Sequence, residues 1–132
     1  AAADGCYDGL DLPLSRNEQG VWITDWAPLL PMLIDISQPL ARRAAIFHDS
    51  MARAALSQAL RIRGDAGLNR IGLGGGVFQN RLLNEHLLSL LTAQGFEVET
   101  DTVLPVNDGG LCAGQILEYA ARQAGINNTR SD

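Results

Sequence analysis

The chain contains no lysine: all ten basic residues among its 132 are arginine. That absence excludes a P-loop ATPase, a Schiff-base enzyme and a lysine general base, each of which needs a primary amine at its centre. Aromatic residues make up only 5%, too few for a platform that stacks single-stranded bases. Positive charge is also short, with ten basic against fifteen acidic residues and a net charge of −5. A nucleic-acid partner is therefore not expected, since phosphate backbones require clustered cations. Cysteine occurs twice, at Cys6 and Cys112, with no CxxC and no ligand spacing. This reads as reduced thiols in a cytoplasmic protein, not a disulfide framework. No apolar run reaches the length of a membrane span, and no basic stretch followed by an apolar one opens the chain, so no membrane partner is expected. The two histidines, His48 and His86, form neither HxxxH nor HExxH and read as helix-surface or satisfied core residues.

What is present is glycine, and its arrangement organises the rest. Asn69–Asn80 reads NRIGLGGGVFQN. A short apolar run enters Gly74, Gly75 and Gly76, and a helix follows. Three consecutive glycines cost backbone entropy and leave a surface without side chains. Bare N–H groups before a helix favour an anion. The expectation is a phosphate- or nucleotide-binding turn; the alternative is a tight turn that needs only positive φ.

The surrounding elements follow from pattern. Leu10–Leu14 and Gly20–Thr24 flank a turn-rich stretch and predict a hairpin. Asp25 caps a short helix through Pro28, shortened by Pro31. Ser37 is the expected cap of a long helix from Pro39 to Arg63, ended by Gly64. Its inward face is predicted at Ala44, Phe47, Met51, Ala55, Ala59 and Ile62, and its arginines, Arg42, Arg43, Arg53, Arg61 and Arg63, decorate the solvated side. Arg70–Leu73 predicts a strand, Asn80–Gln94 a helix with Leu83, Leu87, Leu90 and Leu91 inward and Gly95 beyond its end. Phe96–Thr100 predicts the next strand and Gly109–Ala124 the last helix. The layout is α/β, with parallel strands and a right-handed crossover. We expect one domain over 1–132: a hairpin and short helix over 1–38, an α/β core over 39–126 and a tail over 127–132.

The loops at 74–79 and 102–108 then leave the carboxyl ends of adjacent strands, where ligands bind in such sheets. The second carries Val106-Asn107-Asp108-Gly109-Gly110. Asp108 reads either as an N-cap or as a carboxylate holding a metal beside the glycine turn. Cys112, in the first turn of the last helix, reads as small-residue packing.

Gly75-Gly76-Val77-Phe78-Gln79-Asn80, followed by Arg81-Leu82-Leu83, then Pro105-Val106-Asn107-Asp108-Gly109-Gly110-Leu111 and Gly114-Gln115, closely resemble the C-terminal end of the carbamoyltransferase that matures [NiFe] hydrogenases, the HypF family. Ala45-Ile46-Phe47-His48 and Asp25-Trp26-Ala27-Pro28-Leu29-Leu30 fit the same run-in. The resemblance implies similarity to tRNA threonylcarbamoyl transferases and O-carbamoyltransferases, all of an actin-like, ribonuclease-H-like ATPase fold. It implies ATP, used as carbamoyl-adenylate, a divalent metal, and transfer of the carbamoyl group to the C-terminal cysteine of a partner, HypE. It places Gly75 and Gly76 near nucleotide phosphates, Asn80 on the nucleotide and Asp108 on the metal. Gly74 joins the candidate cofactor-binding residues as part of the bare turn, although Gly72 and Gly74 stand where the family usually has other small residues. The family's upstream histidine pair is not in this chain. The chain therefore reads as the second lobe of a larger enzyme, inactive alone and inclined to self-associate through unpaired strand edges. A dinucleotide-binding half is a competing reading: Gly72-x-Gly74 follows a strand and Glu99 or Asp101 ends the next, although Val77 replaces the third glycine. A non-catalytic interaction module is the other.

Overall fold

The computed structural model describes residues 9–100 and 108–123. The chain forms two compact units. One takes the residues up to Ile71 together with Asn80–Val98; the other takes Gly72–Gln79 and the residues from Glu99 onward.

The first unit opens with a hairpin of β1, Leu14–Arg16, and β2, Trp22–Thr24. The strands are antiparallel, with Leu14 opposite Thr24 and Arg16 opposite Trp22. The first strand lies closer to the turn than the sequence pattern predicts, and the second keeps only the last three residues of its predicted run. The reason is Asn17: its Oδ1 accepts from the N–H groups of Gln19 and Val21, and Gly20 turns the chain at φ +77°. Asp25 accepts from the Ala27 N–H, starting a 3-10 turn over Ala27–Leu29 that runs into α1, Leu30–Ile34.

Helix α2 spans Leu40–Ala66. Ser37 does not cap it. Its N–H and hydroxyl both donate to Asp35, and Pro39 stands at the cap without a side-chain bond. The helix also passes through Gly64 and stops at Gly67, at φ +69°. Termination requires a residue in the left-handed region, and the last turn is held helical by Asp65, which accepts from the Trp22 indole and pairs with Arg16. The buried positions of α2 are Asp49, Ser50, Ala52 and Ala54, not the predicted stripe; Ala44 and Ile62 are exposed. Close approach of neighbouring segments selects the small side chains of this helix over its bulky ones.

Strand β3, Arg70–Leu73, pairs with β4, Glu97–Thr100. Helix α3, Arg81–Ala93, is capped by Asn80, whose Oδ1 accepts from the Leu83 N–H. It ends in a paired closure: Gly95 N–H to Thr92 O and Phe96 N–H to Leu91 O, with Gly95 at φ +77°. That is the double bond pattern in which a left-handed glycine satisfies the last carbonyls. Leu29, Ala52, Ala54, Leu87, Leu91 and Phe96 form the buried core of this unit. The arginines of α2 are not merely solvated. Arg43 donates to Leu33 O, Arg63 donates to Gln94 O and lies 4.1 Å from the Phe96 ring, and Arg53 pairs with Asp49.

In the second unit, a 3-10 turn, Gly76–Gln79, follows the glycines. Another, Asp108–Gly110, leads into α4, Leu111–Gln123. Leu111, Ile116, Leu117 and Tyr119 on α4 are exposed. The expected tail over 127–132 lies outside the described residues. No described helix is long and apolar enough to cross a membrane.

Candidate functional site

The glycine turn takes the form its sequence demands. Gly75 sits at φ +106°, a conformation that L side chains rarely adopt, and its carbonyl accepts from Phe78 N–H to start the 3-10 turn. Gly74 and Gly76 differ: their φ values lie outside that region, and a Cβ added at either would meet no atom within 4 Å. Turn geometry explains one glycine of the three. The other two have open space where a Cβ would stand, as most described glycines do, so the turn itself does not require them.

Asn80 follows this turn and is held at both ends of its amide. Its Oδ1 accepts from Leu83 N–H at 3.2 Å, and its Nδ2 lies 2.7 Å from Nε2 of His48 on α2. His48 in turn places Nδ1 2.7 Å from the Ala44 carbonyl. Because a carbonyl only accepts, Nδ1 carries the hydrogen and Nε2 presents a lone pair to Asn80.

Beside this pair, Asp49 is 3% exposed and accepts three hydrogen bonds: from Gly9 N–H at 2.8 Å, from Arg53 Nε at 3.0 Å and from His86 Nε2 at 2.5 Å. Ser50 accepts from Leu10 N–H and donates to Ile46 O. The two histidines and Asp49 share a cavity of about 350 Å³ whose apolar wall is Ala41, Ala44, Ala45 and Leu82. Spacing along the chain concealed this cluster, because His48 and His86 come from different helices. One signal was readable: Asp49 lies at i+4 from Ala45 and i−3 from Ala52, an acidic residue on an inward face.

Asp108 is the exposed first residue of its 3-10 turn. The loop that leads to it, with Val106 and Asn107, lies outside the described residues. No group of three or more histidine, cysteine, aspartate or glutamate side chains among the described residues could hold a metal ion. Asp108 by itself does not constitute a metal site. Cys112 is exposed, with Sγ 3.7 Å from Gly109 O; it does not serve packing.

Against known proteins, residues 1–115 match the family model described as carbamoyltransferase, Kae1-like domain, second subdomain. The chain belongs to that family. It is 31% identical over 110 residues to the carbamoyltransferase HypF of Synechocystis and 34% identical over 112 residues to HypF2 of Cupriavidus necator, covering 82% and 85% of this chain. The match spans 14% of the length of each of these relatives. Among solved structures, full-length HypF in its phosphate- and nucleotide-bound form superposes with a TM-score of 0.78 at 26% identity, covering 89% of this chain and 16% of that one. T. kodakarensis HypF superposes at 0.73, covering 92% of this chain and 16% of that one; at 21% identity this likeness is one of fold. The chain thus shares an α/β fold with HypF structures and belongs with the HypF carbamoyltransferases.

Proposed function

We propose that this chain is the nucleotide-site lobe of a hydrogenase-maturation carbamoyltransferase, of actin-like ATPase type. It takes part in passing a carbamoyl group, by way of carbamoyl-adenylate, to the C-terminal cysteine of HypE. The observation that carries this reading is the run Gly74-Gly75-Gly76 ahead of α3, within a family whose solved relative is phosphate- and nucleotide-bound. The N–H groups of the turn would face phosphate oxygens of ATP. Asn80, in the first unit, offers an amide N–H as a nucleotide contact. Asp108 would contribute one carboxylate to a divalent-metal site completed by ligands outside the described residues. The acceptor, HypE, meets the complete enzyme, and the reaction belongs to the cytoplasm.

Calorimetric titration of ATP into the 132-residue chain tests the reading. Weak, saturable binding that falls in the double variant Gly74→Ala, Gly76→Ala is expected. Binding unchanged by that pair would refute the glycine turn as the phosphate site.

A further inference from the structure

The glycine turn delivers the chain to Asn80, whose two polar atoms are committed in opposite directions: Oδ1 to Leu83 N–H and Nδ2 to His48 Nε2. An amide flip would exchange them, setting Nδ2 against the Leu83 donor and forfeiting the helix cap. The orientation of Asn80 is therefore fixed from the α3 side by the cap. On the α2 side it is fixed by an imidazole whose Nδ1–H is held on the Ala44 carbonyl. An amide nitrogen has two hydrogens. With one on His48, the second is what Asn80 offers outward, so the residue faces a ligand as a donor.

We propose that His48 is a positioning residue for Asn80. Its neutral, Nδ1-protonated ring holds the Asn80 amide as a hydrogen-bond donor towards an anionic or oxygen-rich ligand group, and protonation of the ring releases it. This rests on the reading of Asn80 as a nucleotide contact. Protonation places a hydrogen on Nε2, facing the Asn80 NH2 at a separation of 2.7 Å. Two donors then oppose each other. The repulsion is relieved by rotating the amide, which takes Oδ1 away from Leu83 and opens the first turn of α3.

The other charged and titratable groups bordering the cavity are Asp49 on α2 and His86 on α3. They bond to each other, and Arg53 bonds to Asp49. The hydrogen-bond partners of His48 itself are both uncharged, and the Phe47 ring stands edge-on to it at 5.5 Å. The two histidines therefore bond to different partners and are separable by substitution.

The test uses the 132-residue chain with 15N labelling. Ring nitrogens of His48, the Asn80 side-chain NH2 and the Leu83 backbone N–H are followed from about pH 8 to about pH 5, and ATP affinity is measured over the same range. The expected result is that Asn80 and Leu83 signals follow the His48 curve while ATP binding weakens about tenfold on the acid side. His48→Gln, which keeps an acceptor near Nε2 but does not titrate, should hold ATP affinity and remove the pH response of Leu83. His48→Phe should weaken ATP about tenfold at every pH. Asn80 and Leu83 signals that stay still while His48 titrates would overturn the coupling, and so would a folded His48→Phe variant with unaltered affinity. Absence of ATP binding in every variant would sink the nucleotide reading instead, and the Leu83 titration would still decide the coupling.

Discussion

Asp49→Ala should destabilise the first unit by about 3 kcal/mol. The carboxylate is 3% exposed and accepts from Gly9 N–H, Arg53 and His86. Removing it strands three donors. Breaking a buried ion pair costs about 3–5 kcal/mol, but the Arg53 and His86 side chains are 44% and 27% exposed. Water compensates them in part, which brings the figure to the lower end. Gly9 adds an independent handle on the same contact, since a Cβ there would lie 2.2 Å from Asp49 Oδ2 and 2.8 Å from Ser50 N. Gly9→Ala must therefore displace the segment that Asp49 and Ser50 pin to α2. In the Asp49→Ala background part of that clash disappears, so the two substitutions should be less than additive. Urea unfolding of the two single variants and the double variant measures both quantities. An Asp49→Ala loss within about 0.5 kcal/mol of zero, the range of ordinary surface changes, would refute the claim that this carboxylate organises the α2–α3 junction.

Four further outcomes follow from the structure. Gly75→Ala should destabilise by about 1–2 kcal/mol, because φ +106° is strained for any L side chain. Gly74→Ala and Gly76→Ala should leave thermal stability within about 0.5 kcal/mol; a large loss would show that the turn needs these glycines for itself. Gly64→Ala should stabilise by up to about 1 kcal/mol as a helix-interior change, whereas Gly67→Ala, at φ +69°, should destabilise by about 1 kcal/mol; equal melting shifts of the same sign would contradict the placement of the helix end. The Trp22 indole N–H and then Arg16 hold the Asp65 carboxyl below its ordinary value of 3.8. Its contribution is complete above that value and is lost as pH falls through the lowered one. Trp22 fluorescence should therefore change below that range in the wild type and not in Asp65→Asn.

What was legible in the sequence is what short range determines. Arg70–Leu73 and the glycine turn stand where pattern put them, as does the start of α3 beside Asn80, because strand composition and glycine act within one turn of chain; that Asn80 caps the helix is what the structure adds. The end of α2 was misplaced for a reason lying far away. Gly64 costs the helix about 1 kcal/mol, and the contacts of Asp65 with Trp22 and Arg16, 43 and 49 positions distant, hold the turn that this glycine alone would have ended. The cavity histidines were passed over on the same footing. A metal or catalytic pair is sought at i and i+4 on one helix, whereas His86 meets Asp49 across 37 positions and Asn80 meets His48 across 32. Such pairings become visible only once α2 and α3 are packed. The family resemblance marked the residues of the glycine turn. The packed helices add the reason that Asn80 keeps one orientation: cap and imidazole constrain the same amide from opposite sides, and neither constraint alone would select the donor it presents.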